Sequence, residues 1–104
     1  METQNEKDSN QKVKEDVMIQ KQVMNICDKF FSEPKPFEQI GKLAIIKKDK
    51  ELHFHHYHML VMVWDILTGV VLMTDMECPT DGRIQRNYLE YMQTIYKGMP
   101  EATL

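Results

Sequence analysis

The run His53-Phe54-His55-His56-Tyr57-His58 places four imidazoles within six positions. Imidazole ligates transition metals and changes charge nearest to neutral pH, so this run carries the chain's most chemical potential. On a strand, residues two apart share a face, so His53 with His55, or His56 with His58, would present two imidazoles to one ion. A structural zinc site takes about four ligands and a catalytic one about three plus water. Cys78, Asp75, Glu77 and Asp65 are candidates for the remainder, and nothing in the spacing selects among them. No His-Glu-x-x-His or paired-cysteine motif accompanies the run, so neither a metal nor any other cofactor is expected, and a metal-binding protein built on this cluster stands only as a second alternative function. The plain reading is a hydrogen-bonded, partly exposed strand start or a pH-sensitive patch.

Other groups with reactive chemistry have plainer roles. Cys27 falls within an apolar helical stripe and reads as core, while Cys78 beside Pro79 is a thiol with no placed base. Four glycines leave no phosphate-cradling loop, and Asp81-Gly82 is more simply a turn before the last helix. No catalytic residue is expected.

Lys42, Lys47, Lys48 and Lys50 gather about a turn near His53 and His55. They are the candidate contacts of an alternative function, RNA binding. Residues 1–52 carry ten lysines against ten acidic groups, whereas residues 53–104 carry three basic and six acidic groups. With a net charge of −3 and a pI near 5.8, the chain lacks the basic balance of a duplex-binding protein, and a solvated turn is the simpler reading. Helix, three strands, helix is also the element order of double-stranded-RNA-binding domains and of small subunits that bind signal-recognition-particle RNA. The resemblance is one of order alone. Pro79-Thr80-Asp81-Gly82-Arg83 stands where the former carry a lysine-rich helix start.

These residues need elements to position them. Val13, Val17, Val23, Met24, Ile26, Cys27, Phe30 and Phe31 recur largely at threes and fours, which predicts an amphipathic helix over 13–31. Ser32-Glu33-Pro34-Lys35-Pro36 stops it, because proline removes a donor and disfavours helix at the preceding residue. Residues 42–46, the polar turn 47–50 and the residues from 51 onward read as strand, turn, strand. An acidic residue opening and a glycine closing Asp65-Ile66-Leu67-Thr68-Gly69 predict a type I turn with a left-handed glycine, joining strands near 56–64 and 70–76. Val63-Trp64-Asp65 and the residues after it resemble the strand end of a WD40 blade. One copy cannot build a propeller, so the likeness concerns the turn alone. After Cys78-Pro79, Thr80 or Asp81 would cap a helix carrying Ile84, Tyr88, Leu89, Tyr91, Met92, Ile95 and Tyr96, ended by Gly98 and Pro100. The expected fold is α+β: an N-terminal helix, a three- or four-stranded antiparallel meander and a C-terminal helix in a two-layer sandwich. Residues 1–12 form a disordered polar arm, 13–98 a single domain and 99–104 a short tail.

Of the 20 residues from 57 to 76, 14 are apolar, against 42% for the whole chain. The longest stretch of low charge, 59–73, is short for a membrane span. It also has Asp65 inside it, at a cost of roughly 2.5–3.5 kcal/mol on insertion scales. Read as one strand, 51–65 is apolar on both faces toward its end, with Leu52, Phe54, His56, His58, Leu60, Met62 and Trp64 on one side. Two helices on one face of a small sheet leave the second face for another chain. The expected function is therefore a non-enzymatic protein–protein interaction module: a small subunit, adaptor or inhibitor that binds itself or another chain through the sheet face of 57–76. Its anchors would be Tyr57, Met59, Val61, Val63 and Trp64, since aromatic and methionine side chains dominate such contacts. The partner is a protein chain in a homodimer or hetero-complex, with no membrane and with nucleic acid less favoured. Two cysteines and a start without an apolar leader point to an intracellular compartment, cytoplasmic or nuclear.

Overall fold

The computed structural model describes residues 3–76 and 78–98. They are ordered as α1 (Thr3–Ser32), β1 (Phe37–Ile40), β2 (Leu43–Lys48), β3 (Glu51–His56), β4 (Met59–Asp65), β5 (Val71–Met73), α2 (Pro79–Thr94) and a 3-10 turn (Tyr96–Gly98). The strands form one antiparallel sheet in chain order, and the fold is the expected α+β arrangement of helix, meander and helix. Ile19, Val23, Ile26, Cys27 and Phe30 of α1 join Ile84, Tyr88, Tyr91 and Met92 of α2 in one core. Leu43, Ile45, Leu52, Phe54, Met62 and Trp64 of the sheet complete it. These sheet residues alternate along their strands, so both helices cover the same face.

The sheet has five strands, one more than the widest meander predicted. Phe37-Glu38-Gln39-Ile40 looks like a continuation of the proline break. Yet Gly41, with φ +58°, turns the chain so that Phe37 pairs with Ile46 and Ile40 with Leu43. At the other end of the chain α1 starts at Thr3, so its backbone is helical through most of the stretch expected as a polar arm. A polar helix has no apolar stripe for periodicity to detect. Positions 1, 2 and 77 and the 99–104 tail lie outside the described residues. The buried stripe of α1 runs along Ile19, Val23, Ile26 and Phe30, whereas Val17 and Met24, counted in the apolar pattern, are exposed.

Residues 51–65 form two strands, because Tyr57 adopts φ +58° and reverses the chain with His58. A bulge adds a second change. Phe54 pairs with Met62 but His55 pairs with Leu60, which leaves Val61 as an extra residue on β4. Its carbonyl is met from the helix layer by Gln85 Nε2 at 2.8 Å. The 65–69 turn follows its expected chemistry: Asp65 Oδ1 accepts from the amides of Leu67 and Thr68 at 2.9 Å each, and Gly69 has φ +73°.

Cys78 takes the N-cap position of α2 without a side-chain cap bond, and Pro79 opens the helix. Thr80 and Asp81 are thus inside the first turn rather than capping it. Asp81 turns to the sheet, where it accepts from Nδ1 of His56. Farther along, Tyr88 donates to the His55 carbonyl at 3.2 Å, and Tyr91 donates to Asp28 Oδ1 at 2.9 Å, tying α2 to α1.

Candidate interaction surface

The face of the sheet turned away from both helices carries an unbroken cross-strand row. Phe37 pairs with Ile46, Ile46 with His53, His53 with Val63 and Val63 with Leu72. Directly paired residues share a face, so the row crosses all five strands, a span of about 19 Å at ~4.8 Å per strand. Its two ends are open to solvent, Phe37 at 48% and Leu72 at 63%, while Val63 near its middle is only 8% exposed. A second row consists of Gln39, Ala44, His55 and Leu60. The third, Lys48, Glu51 and Asp65, confines the charge to one end of the face.

The four histidines are divided by this geometry. His53 and His55 share the open face as their spacing predicts; His53 Nε2 lies 3.0 Å from Glu51 Oε1. Burial, then the neighbouring charges of His53 and Lys48, push the His55 pKa below the usual histidine value, opposed by a hydrogen bond to the His58 backbone. His56 points the other way, into the helix layer, where it is 5% exposed and bonded to Asp81. His58 lies in the hairpin turn and does not pair with it. Among the described residues, no three His, Cys, Asp or Glu side chains gather closely enough to hold a metal ion. The His56–Asp81 pair has the make-up of a general base, but its free Nε2 is buried without a partner and closed to solvent. It fastens α2 to the β3–β4 hairpin.

The five expected anchors fall in three places. Val63 is in the open row, and Tyr57 and Met59 are exposed at the β3–β4 turn. Val61 and Trp64 are corrections: both are buried beneath the helices. The bulge turns Val61 inward and moves Leu60 onto the open face, while Trp64, paired with Leu52, follows the core side of β4. Phe37 and Ile46 were missed as contacts, and Leu72 fell within the expected 57–76 face without being named as an anchor. The signal of the first two lay in the alternation on either side of Gly41, which the neighbouring prolines obscured.

The four lysines do not form one patch. Lys47, Lys48 and Lys50 surround the β2–β3 turn, together with Asp49 and Glu51. Lys42 is at the opposite end of β2, with its Nζ 5.8 Å from the Tyr57 ring centroid. A six-residue strand separates them by about 17 Å.

No family model matches the chain, and no curated protein or solved structure matches it either. Among the described residues no helix is long and apolar enough to cross a membrane.

Proposed function

We propose that this protein is a non-enzymatic interaction module, a small subunit, adaptor or inhibitor, which binds a protein chain through the open face of its sheet. One observation carries the reading: both helices pack on one side, so the row Phe37, Ile46, His53, Val63, Leu72 has no covering layer among the described residues. An antiparallel sheet with one face in water normally alternates to polar residues there. Here four of the row's five residues are apolar and the fifth is an imidazole. The charged Lys48, Glu51 and Asp65 at one end supply a polar rim of the kind that surrounds the apolar centre of an interface. Sealing of the His56–Asp81 pair favours a binding role over catalysis. A reducing intracellular compartment suits the two free thiols, Cys27 and Cys78.

Photocrosslinking tests this. A photoreactive phenylalanine analogue replaces Phe37 in one variant and Gln93, on the outer side of α2, in another. The expected result is a discrete protein adduct from position 37 and none from 93. Equal labelling from both, or no protein adduct from 37, overturns the reading.

A further inference from the structure

The two edges of the sheet are unequal. At the β1 edge, Pro34 and Pro36 precede the strand, and Glu38 bonds Lys35 at 2.9 Å, which holds its carboxyl below the usual range. Proline and charge are the common means by which a sheet edge is protected from further pairing. The β5 edge has neither. From Ile66 to Thr74 the chain carries no charge and no proline, and Val70 and Leu72 are both about two-thirds exposed (66% and 63%).

Hydrogen-bond parity shows which groups that edge offers. The Asp65 amide donates to the Val70 carbonyl at 2.9 Å and the Thr74 amide to the Val61 carbonyl at 3.5 Å. The Val70 carbonyl, both backbone groups of Leu72 and the Thr74 amide therefore face β4, while Thr68 Oγ1 takes the Val70 amide and Gln85 takes the Thr74 carbonyl. Val71 and Met73 turn theirs outward, where no backbone partner stands among the described residues.

We infer that β5 pairs antiparallel with β5 of a second copy of this chain, about a two-fold axis at Leu72, which joins the two open faces into one continuous surface. This pairing goes beyond the interaction reading above: it adds a second copy at the sheet edge and leaves the open face free to bind. In this register Val71 of each copy opposes Met73 of the other, and the pair exchanges both amide bonds; Leu72 meets Leu72 on the open face. Charge supports the same register. Asp75 comes opposite Gly69 of the other copy, and a side-chain carbon of Lys97, Cε, stands 3.9 Å from where a Cβ on Gly69 would be. Asp75 has no ion-pair partner among the described residues, and Lys97 has none beyond its position over the Trp64 ring. Asp75 lies two residues past the end of β5 and Lys97 lies beside Gly69, two residues before its start, so the two-fold axis brings Asp75 of each copy toward Lys97 of the other at both ends of the pair. An edge this short buries less than the ~1,200 Å² of a tight complex, so dissociation in the range of tens of micromolar is expected.

Sedimentation equilibrium of the full chain between about 5 and 500 μM tests this, across the range expected for a weak complex. Wild type should be a reversible dimer. Among the backbone groups Met73→Pro removes only an outward donor, and the side chain it replaces is partly exposed, so it should keep the wild-type circular dichroism and weaken association at least ~10-fold. Independently of that backbone change, Asp75→Lys should weaken association about 10-fold, and adding Lys97→Asp should restore it. A wild-type monomer at the highest concentration overturns the pairing. So does a dimer indifferent to Met73→Pro and to Asp75→Lys but lost on Ile46→Glu, which would be face-to-face. The crosslink from position 37, repeated in the Met73→Pro variant, separates the two readings: an adduct that persists there keeps the open face as a binding surface whatever becomes of the edge.

Discussion

Gln85 Nε2 donates to the Val61 carbonyl at 2.8 Å, at the β4 bulge, where that carbonyl's bond from the Thr74 amide is long, 3.5 Å. The same nitrogen reaches the Thr74 carbonyl at 2.8 Å, so one helix side chain closes the gap between β4 and the segment after β5. Buried carbonyls need such partners, and the irregularity persists because α2 supplies one.

Gln85→Leu keeps the volume and removes the donor. It should destabilise the protein by about 1–3 kcal/mol, because the Thr74 carbonyl loses this donor and the Val61 carbonyl keeps only the long bond from the Thr74 amide, while an apolar group is set against both. Chemical denaturation measures the change. Asn87→Ala, which removes a bond within α2 to the Arg83 carbonyl, should cost less than Gln85→Leu.

Trp64 and Phe37 should respond oppositely to truncation. Trp64→Ala empties a core site and should cost about 3–5 kcal/mol. Phe37→Ala acts on an exposed ring and should change stability by less than about 0.5 kcal/mol. The same denaturation experiment reads both, and the native fluorescence of Trp64 should resist quenching by acrylamide.

His55 gives stability a pH dependence whose sign follows from its lowered pKa. The unfolded chain takes up its proton near pH 6.5, before the folded protein does, so the stabilising contribution is full above that pH. It is lost as the pH falls from about 6.5 through the lower folded value. Melting temperatures measured between roughly pH 7.5 and 5 should therefore drop less steeply in His55→Gln than in wild type.

The 65–69 turn should be sensitive at both ends. Gly69→Ala places a Cβ on a residue with φ +73° and should cost about 1–2 kcal/mol of backbone strain, since its neighbours at 3.8 and 3.9 Å leave room for the atom itself. The amides of Thr68 and Leu67 hold the Asp65 carboxyl below its usual range, led by the Thr68 bond. That contribution is present above about pH 4 and is lost as the pH falls through the lowered folded value, so Asp65→Asn should flatten the acid limb of a stability–pH curve.

Local chemistry made some of this structure readable in advance. Asp65 and Gly69 announce their turn, because the carboxylate and the missing Cβ act within five residues of each other. The helix breaks at Pro34 and Pro36 and the apolar spacing of α2 are equally local. Beyond these, α1 extends past its apolar pattern, and β1 is short and hidden behind two prolines. The site was legible in kind, as an apolar surplus near 57–76, but not in membership.

The sequence by itself determined the α+β class, the element order, the 65–69 turn and the excess of apolar side chains over what one sheet face requires. Tertiary structure decided which residues form the open face. Strand periodicity is two, so the hairpin at Tyr57 and one extra residue at Val61 reassign every side chain between them. The bulge is held by Gln85, 24 positions away, and His56, on the face of Leu52 and Phe54 by alternation alone, finds its partner in Asp81, 25 positions away. Side chains brought from α2 by packing settled what a reading along the strand could not.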